Sequence, residues 1–207
     1  MTNWNKIMKK HIIATAVLAT LLSGAVMAQQ AEGPWLVRVR AVHLQPSNSD
    51  SANLGLSINS KWLPEVDFNY YFSKSVSAEL ILTVPQKQTV SLPTGAVGTL
   101  RHLPPTLTVK YHFDTGPSFT PYVGIGANYT RFSSVSLAGG TLDVKRSSTG
   151  LAYQAGVDIP ISKGTYLNFD VKKVQIKTDV SVVASGAKLS TFKVDPVLFG
   201  VGVGWRF

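Results

Sequence analysis

The chain has 207 residues, no cysteine, and 20 Lys and Arg against 11 Asp and Glu, a formal charge of +9. That length suits one domain, and the missing cysteines exclude a disulfide framework, so stability must come from packing and a hydrogen-bonded sheet. No segment beyond residue 28 offers the ~20 consecutive apolar residues of a spanning helix, so a membrane form of this chain has to be a closed barrel.

At the start, Lys6, Lys9 and Lys10 precede an apolar stretch at 12–26, and Val26-Met27-Ala28 supplies a cleavage site before Gln29. This is the layout of a secretory signal peptide. It divides the chain into a leader, 1–28, and a barrel domain, 29–207. Without the three leader lysines, 17 Lys and Arg face 11 Asp and Glu, a surplus of +6. A moderate surplus with no basic run argues against nucleic acid. It suits either a solvated surface or phosphate-bearing lipid headgroups.

The remainder reads as segments of alternating hydrophobicity, the mark of strands whose side chains have a period of two. The first, 35–44, sets Val37, Val39 and Ala41 against Arg38 and Arg40; the second, 62–72, sets Val66, Phe68, Tyr70 and Phe72 against Glu65, Asp67 and Asn69. After Ser73-Lys74-Ser75 comes the third, 76–84, with Ala78, Leu80 and Leu82 opposing Ser77 and Glu79. The fourth, 102–113, alternates Leu107, Val109 and Tyr111 with Thr108, Lys110 and His112, and Asp114 to Ser118 form a dense turn signal. The fifth, 119–132, and sixth, 149–159, follow the same rule, and 160–164 makes the third short turn, leading from the sixth to the seventh. The seventh, 166–177, alternates through Leu167, Phe169 and Val171, then changes phase at Lys172-Lys173. A β-bulge there would return Val174 and Ile176 to the outward face. The eighth ends Phe199-Gly200-Val201-Gly202-Val203-Gly204-Trp205-Arg206-Phe207, with apolar groups on one face and glycines and an arginine on the other.

Eight strands with short turns alternating with long Ser-, Thr- and Gly-rich connections (45–61, 85–101, 133–148, 178–191) predict an all-β, eight-stranded antiparallel up-and-down transmembrane β-barrel. In such a barrel the tight turns and both ends of the domain are periplasmic, in the outer membrane of a Gram-negative bacterium. Trp35, Tyr71, Phe72, Phe113, Phe119, Tyr122, Tyr166 and Phe207 gather at the turn side as an interfacial girdle. If the aliphatic sets face lipid, Arg38, Arg40, Glu65, Asp67, Glu79, Lys110, Asp158, Asp170, Lys172 and Arg206 face inward and form a salt-bridged plug of the lumen. The reverse orientation would place charges in hydrocarbon at roughly 2–4 kcal/mol for each deeply placed Arg or Lys. A secreted lipocalin-like cup is the soluble alternative, with Gly33-Pro34-Trp35 as its one local match. The aromatic ending and the alternation sustained through the last strand count against it.

Particular runs then carry a resemblance. His102-Leu103-Pro104-Pro105-Thr106-Leu107, Pro121-Tyr122-Val123-Gly124-Ile125-Gly126-Ala127-Asn128-Tyr129-Thr130, Gln154-Ala155-Gly156-Val157-Asp158, Asp195-Pro196 and the final Val201 to Phe207 resemble the OmpW family of outer-membrane proteins. That resemblance implies an eight-stranded barrel with a narrow, largely hydrophobic channel that passes small hydrophobic molecules across or into the outer membrane. It also implies use as a bacteriocin receptor in some members. The solute is not specified by these residues, because the loops depart most from the family.

Leu54, Leu56, Leu63, Leu92, Leu100 and Leu103 are the channel-lining candidates near the outer rim. Pro64, Pro104, Pro105 and Pro196, which cannot donate ladder hydrogen bonds, are candidate sites for a lateral opening. Arg101, Arg131, Lys145, Arg146, Lys188 and Lys193 fall near the same rim and suit lipopolysaccharide phosphates. The expected partners are therefore outer-membrane lipid and lipopolysaccharide, a small hydrophobic solute, and the barrel-assembly machinery that would read the aromatic last strand. No cofactor is expected. His11, His43, His102 and His112 form no His-x-x-His pair, and no Gly-x-Ser-x-Gly occurs, so an enzyme is not indicated. The alternative function is a non-transporting barrel that displays its loops for adhesion, defence or phage and bacteriocin attachment.

Overall fold

Period-two alternation requires one face of each strand to meet a different solvent from the other, and a closed sheet satisfies this for every strand at once. The computed structural model describes residues 33–207; the expected leader lies outside the described residues. Eight strands form the barrel: β1 (Trp35–Gln45), β2 (Lys61–Tyr71), β3 (Val76–Thr83), β4 (Thr106–His112), β5 (Thr120–Leu137), β6 (Ser147–Ser162), β7 (Thr165–Val174) and β8 (Val197–Arg206). Each pairs antiparallel with its sequence neighbours, and β8 closes on β1 from Leu36↔Arg206 to Gln45↔Val197.

Two expected strands differ in the structure. The fourth is broken at Pro104-Pro105, and the segment before it, Gly95–Leu103, continues the register of β4 with β5 and pairs on its other side with Gln86–Leu92, the continuation of β3. Two adjacent prolines remove two ladder donors, so one continuous strand through them would lose its hydrogen bonding. The seventh carries no bulge. β7 pairs in unbroken register with β6 through Gln154↔Lys172, Tyr153↔Lys173 and Ala152↔Val174, and with β8 through Lys173↔Val197. Val174 and Ile176 keep the inward parity of Lys172 and are buried. The apparent change of phase is instead a change in what the lumen is made of.

The long connections, expected as irregular loops, carry a second tier of strands. Lys177–Val182 and Lys188–Lys193 form a hairpin, Leu142–Val144 bridges it to β5, and Ser49–Asp50 extends its far edge. Ser57–Ile58 pairs with the Gln86–Leu92 hairpin arm. The first loop joins these two edges through one side chain: Asn48 Nδ2 donates to the Ile58 carbonyl at 3.2 Å, and the Ile58 N–H donates back to Asn48 Oδ1 at 3.1 Å.

The outward face of the barrel is apolar. Leu80, Leu107, Val109, Ile125, Phe169 and Phe199 are all exposed, Leu107 at 56% and Ile125 at 55%. A band of this kind around a closed sheet is a lipid-facing surface rather than the wall of a soluble cup. At the short-turn end the band finishes in edge-to-face ring pairs, Trp35 with Tyr70 at 4.9 Å and Tyr111 with Phe113 at 5.1 Å. Three of the expected girdle residues face the other way: Tyr71 opposes the buried Ser77, Tyr122 is 1% exposed, and Tyr166 opposes Gly204 on the inward parity. Each lies at the expected height on the opposite face, and for Tyr122 the hydroxyl has a polar lumen to bond to.

Candidate functional site

The lumen has two tiers, and each strand reads from one to the other along its inward positions. On β1 these are Leu36, Arg38, Arg40, Val42 and Leu44, all buried. The glycines of β8 make the charged tier possible. Arg38 opposes Gly204 and Arg40 opposes Gly202. A Cβ on Gly204 would come within 2.8 Å of Arg38 Cγ, and one on Gly202 within 2.5 Å of Arg40 Cγ. The alternating glycines of the last strand are thus the space into which two arginines fold.

Glu79 is the hub of the charged tier. Its Oε1 accepts from Arg38 at 3.1 Å, Lys110 at 3.1 Å and Arg40 at 3.3 Å, and its Oε2 accepts from Gln154 at 2.6 Å and Thr108 at 3.3 Å. Arg38 also reaches Asp67 at 3.1 Å and Asp158 at 2.6 Å, while Arg40 reaches Glu65 at 2.9 Å and Asp67 at 2.8 Å. Lys172 joins Glu65 at 2.7 Å to Asp170 at 2.9 Å. Tyr122 donates to Asp170 at 2.9 Å and lies under the Lys110 ammonium, 4.7 Å from its ring centroid. Nine of the ten expected plug residues therefore belong to one buried network. Arg206 stands apart from it: its guanidinium stacks 4.0 Å over Tyr71, and its Nε donates to the Gly33 carbonyl.

Above the charges the lumen is mainly apolar, with Gln86, Gln88 and His102 as buried polar members. Val42, Leu44, Leu63, Ala152, Val174, Ile176 and Leu198 come from barrel strands or their continuations, and Leu56, Ile58, Val90, Leu100, Phe132, Val180 and Phe192 from the second tier. Of the lining candidates, Leu56, Leu63 and Leu100 are in this core and Leu92 packs against it. Leu54 is 43% exposed in the first loop, and Leu103 takes the opposite parity from the buried Leu100 and His102. The strand-borne set Val42, Leu44, Val174, Ile176 and Leu198 is not among the leucines expected from the loops. The available signal was the switch from charged to apolar residues along a single inward parity, Arg40 to Val42 and Lys172 to Val174.

Where the two tiers meet there is a cavity of about 30 Å³, lined by Leu44, Leu63, Ile81, Val174, Ile176 and Leu198 on the apolar side and by Glu65, Lys172, Thr83, Gln86, His102 and Thr106 on the polar side. Such a volume holds about two waters. Pro104 and Pro196 complete its wall. It abuts an interruption in the sheet. β3 and β4 pair only as far as Ile81↔Thr106 and pairing on that side resumes at Gln86↔His102, while the other side keeps one register with β5 through the prolines, from Thr106↔Asn128 to Leu103↔Arg131. Side chains also bond the carbonyls there: Asn128 Nδ2 donates to Pro104 and Pro105, both at 3.2 Å, the latter also accepting from the Tyr129 N–H at 3.0 Å, and on the β2 side Thr83 Oγ1 donates to Pro64 at 2.6 Å. Pro104 and Pro105 lie at the gap between β3 and β4, whereas Pro64 lies on β2, opposite Ala41 of β1. Pro196 lies across the lumen, its carbonyl accepting from the Val174 N–H.

The histidines take no part in a metal cluster among the described residues. His112 bonds Ser77 at 2.8 Å, His102 contacts Gln88 at 3.3 Å, and His43 packs beside Trp62 on the outward face.

Comparison with known proteins places this architecture. The model of the OmpW family matches residues 31–207. The chain belongs to the OmpW family. It is 33% identical to outer membrane protein W of Vibrio cholerae, covering 97% of this chain and 100% of that protein. It is 24% identical to a Pseudomonas aeruginosa protein named dibenzothiophene metabolism operon protein PahQ, over 85% of this chain and 90% of that one. Among solved structures, the outer membrane protein OprG of Pseudomonas aeruginosa superposes with a TM-score of 0.74 at 25% identity, covering 86% of this chain and 98% of OprG. The protein is an outer-membrane barrel of the OmpW type.

Proposed function

We propose that this barrel is a narrow, non-enzymatic passage by which small hydrophobic molecules enter the outer membrane. The long loops face the exterior, and the short turns and both ends of the described chain face the periplasm. A solute comes in among the apolar side chains of the loop-side tier, descends to the cavity above Glu65 and Lys172, and leaves sideways through the β3–β4 window into the bilayer.

The observation that carries this reading is the position of that cavity. Its wall toward the loops is mainly apolar, with Gln86 and His102 as the polar members, its floor is a hydrogen-bonded ion network that no apolar solute can cross, and it adjoins the short gap in the β3–β4 ladder. An apolar molecule stopped by the floor loses less free energy by moving into lipid than by entering a desolvated charge network. At about 30 Å³ the cavity holds no organic solute in this conformation, so passage requires Leu63, Ile81 and Thr106 to part. The name of the PahQ relative supports the same solute class, since dibenzothiophene is a fused apolar ring system.

Uptake of a small apolar fluorophore into liposomes carrying the refolded protein tests the proposal, with a fully plugged eight-stranded barrel at equal density as reference. Faster uptake that falls to the reference rate in Leu63→Asp, with folding intact by circular dichroism, is the expected result. Equal rates for the parent and the plugged barrel would overturn it. They would favour the second reading, a barrel that displays its loops as an attachment site, which the close filling of the loop-side tier supports.

A further inference from the structure

Cross-strand register places like charges directly opposite one another twice on the outward face of the loop tier. Lys87 opposes Arg101 in one hairpin, and Lys177 opposes Lys193 in the other. All four are exposed. Directly opposed residues hold their Cβ atoms ~4.5–5.5 Å apart, where like charges destabilise the pairing. A fifth exposed cation, Arg131, stands between the two pairs: it opposes Leu103 on one side and Ser147 on the other, and the next residue, Ser148, accepts from the Lys177 N–H through its Oγ.

None of these five has a carboxylate within 4.0 Å among the described residues. Their neighbours show that the sequence supplies counter-charges where it uses them, since Lys188 meets Asp179 at 2.8 Å and Arg146 meets Asp143 at 2.9 Å. Height identifies what neutralises the rest. Arg131 lies two residues beyond the exposed Tyr129 on β5, roughly 7 Å further along the strand. Arg101 opposes Ser133, two residues further still. The row therefore begins just above the lipid-facing band, at the level of headgroups, with small hydroxyl residues between the cations.

We infer that Lys87, Arg101, Arg131, Lys177 and Lys193 form a docking belt for the phosphates of lipopolysaccharide. The belt narrows the rim cations expected from sequence: Arg146 and Lys188 are neutralised within the chain, and Lys87 and Lys177 join through their cross-strand partners. The inference rests on the loops facing the exterior, and it is independent of solute passage.

The experiment is native mass spectrometry and thermophoretic titration of the refolded full barrel in an uncharged detergent. Purified lipopolysaccharide, its dephosphorylated form, phosphatidylglycerol and inorganic phosphate are added in separate arms. Each exposed cation near an anionic headgroup is worth about fivefold in binding. The quadruple variant Lys87→Gln, Arg101→Gln, Lys177→Gln, Lys193→Gln is therefore expected to weaken lipopolysaccharide binding at least about tenfold and to flatten its salt dependence. Arg146→Gln with Lys188→Gln stays near the parent, and dephosphorylated lipopolysaccharide no longer distinguishes parent from quadruple variant. The inference is overturned if the quadruple variant binds as tightly as the parent, or if phosphatidylglycerol or inorganic phosphate binds as well as lipopolysaccharide. Should the quadruple variant not refold, the parent alone decides: lipopolysaccharide affinity that does not fall with added salt overturns the belt.

Discussion

Replacing Glu79 by Gln tests whether the charged tier is a network or a set of independent pairs. The carboxamide keeps the size of the side chain and removes one negative charge from among three cations. Arg38 retains Asp67 and Asp158, and Arg40 retains Glu65 and Asp67. Lys110 does not fare as well, because Glu79 at 3.1 Å is its one carboxylate within 4.0 Å among the described residues. Breaking a buried pair so that one charge is stranded costs about 3–5 kcal/mol. Most of the effect of Glu79→Gln should therefore be the cost of the orphaned Lys110, and a second substitution, Lys110→Met, should recover it. Only the rearranged hydrogen bonds from Thr108 and Gln154 would remain, at about 0.5–1.5 kcal/mol each. The measurement is urea unfolding of the barrel in lipid vesicles, followed by tryptophan fluorescence and extrapolated linearly, with all four corners of the cycle. A single-variant loss below about 1 kcal/mol would refute this account, as would a double variant no more stable than Glu79→Gln, since both figures derive from the stranded buried charge.

Three further outcomes follow from the same structure. Gly202→Ala should lower stability by about 1–3 kcal/mol through overpacking against the Val39 carbonyl and Arg40, read as a shifted urea midpoint; an unchanged midpoint would mean the glycine is not there to make room. Tyr122→Phe removes the donor to Asp170 and the acceptor for Asn168, 3.0 Å away, and should cost about 1–3 kcal/mol by the same assay. Asp50 organises the first loop by accepting from the backbone N–H groups of Ala52, Leu54, Gly55 and Leu56. Slight desolvation pushes its carboxyl up, but the N–H groups of Leu54, Leu56 and Gly55 and the Ser190 hydroxyl hold it below the ordinary value of 3.8. Its contribution is thus complete above pH 3.8 and lost as pH falls through the lower folded value. Proteolysis of residues 46–60 should accelerate in that acidic range in the parent, and Asp50→Ala should be cleaved faster at neutral pH; identical cleavage of the two proteins at pH 7 would count against the role.

How far the sequence discloses this molecule depends on the range of the contacts concerned. Alternation within one strand is a local property, so the inward placement of Arg38, Arg40, Glu65, Asp67, Glu79, Lys110 and Lys172 follows from parity and the cost of charge in hydrocarbon, and the structure buries all seven. Parity also contained the apolar tier. The bulge expected at Lys172-Lys173 follows only if the lumen is polar along its whole length, which makes Val174 and Ile176 look like an outward face that has slipped. With a lumen that changes character, the same residues need no bulge, and Arg40 to Val42 on β1 makes the same transition at the same level. Girdle aromatics misled for a related reason, because height along a strand says nothing about face unless parity is applied to the aromatic residue too. Tyr122 follows Pro121 and precedes Val123, and its even position matches Gly124 and Asn128 of the inward set.

The second tier lay outside this kind of reading. Its strands are two to nine residues long, and its closure relies on pairings between distant loops, Lys193 with Ser49 and Ile58 with Val90, together with the Asn48 clasp. None of these leaves a period in the sequence. The consequence reaches function. The proposed solute entry and lipid docking would both depend on the tier whose order is set by non-local contacts, whereas the charged floor is set by strand parity. Substitutions that keep parity can therefore reshape the mouth, and with it any proposed solute preference, while leaving the ion network closed.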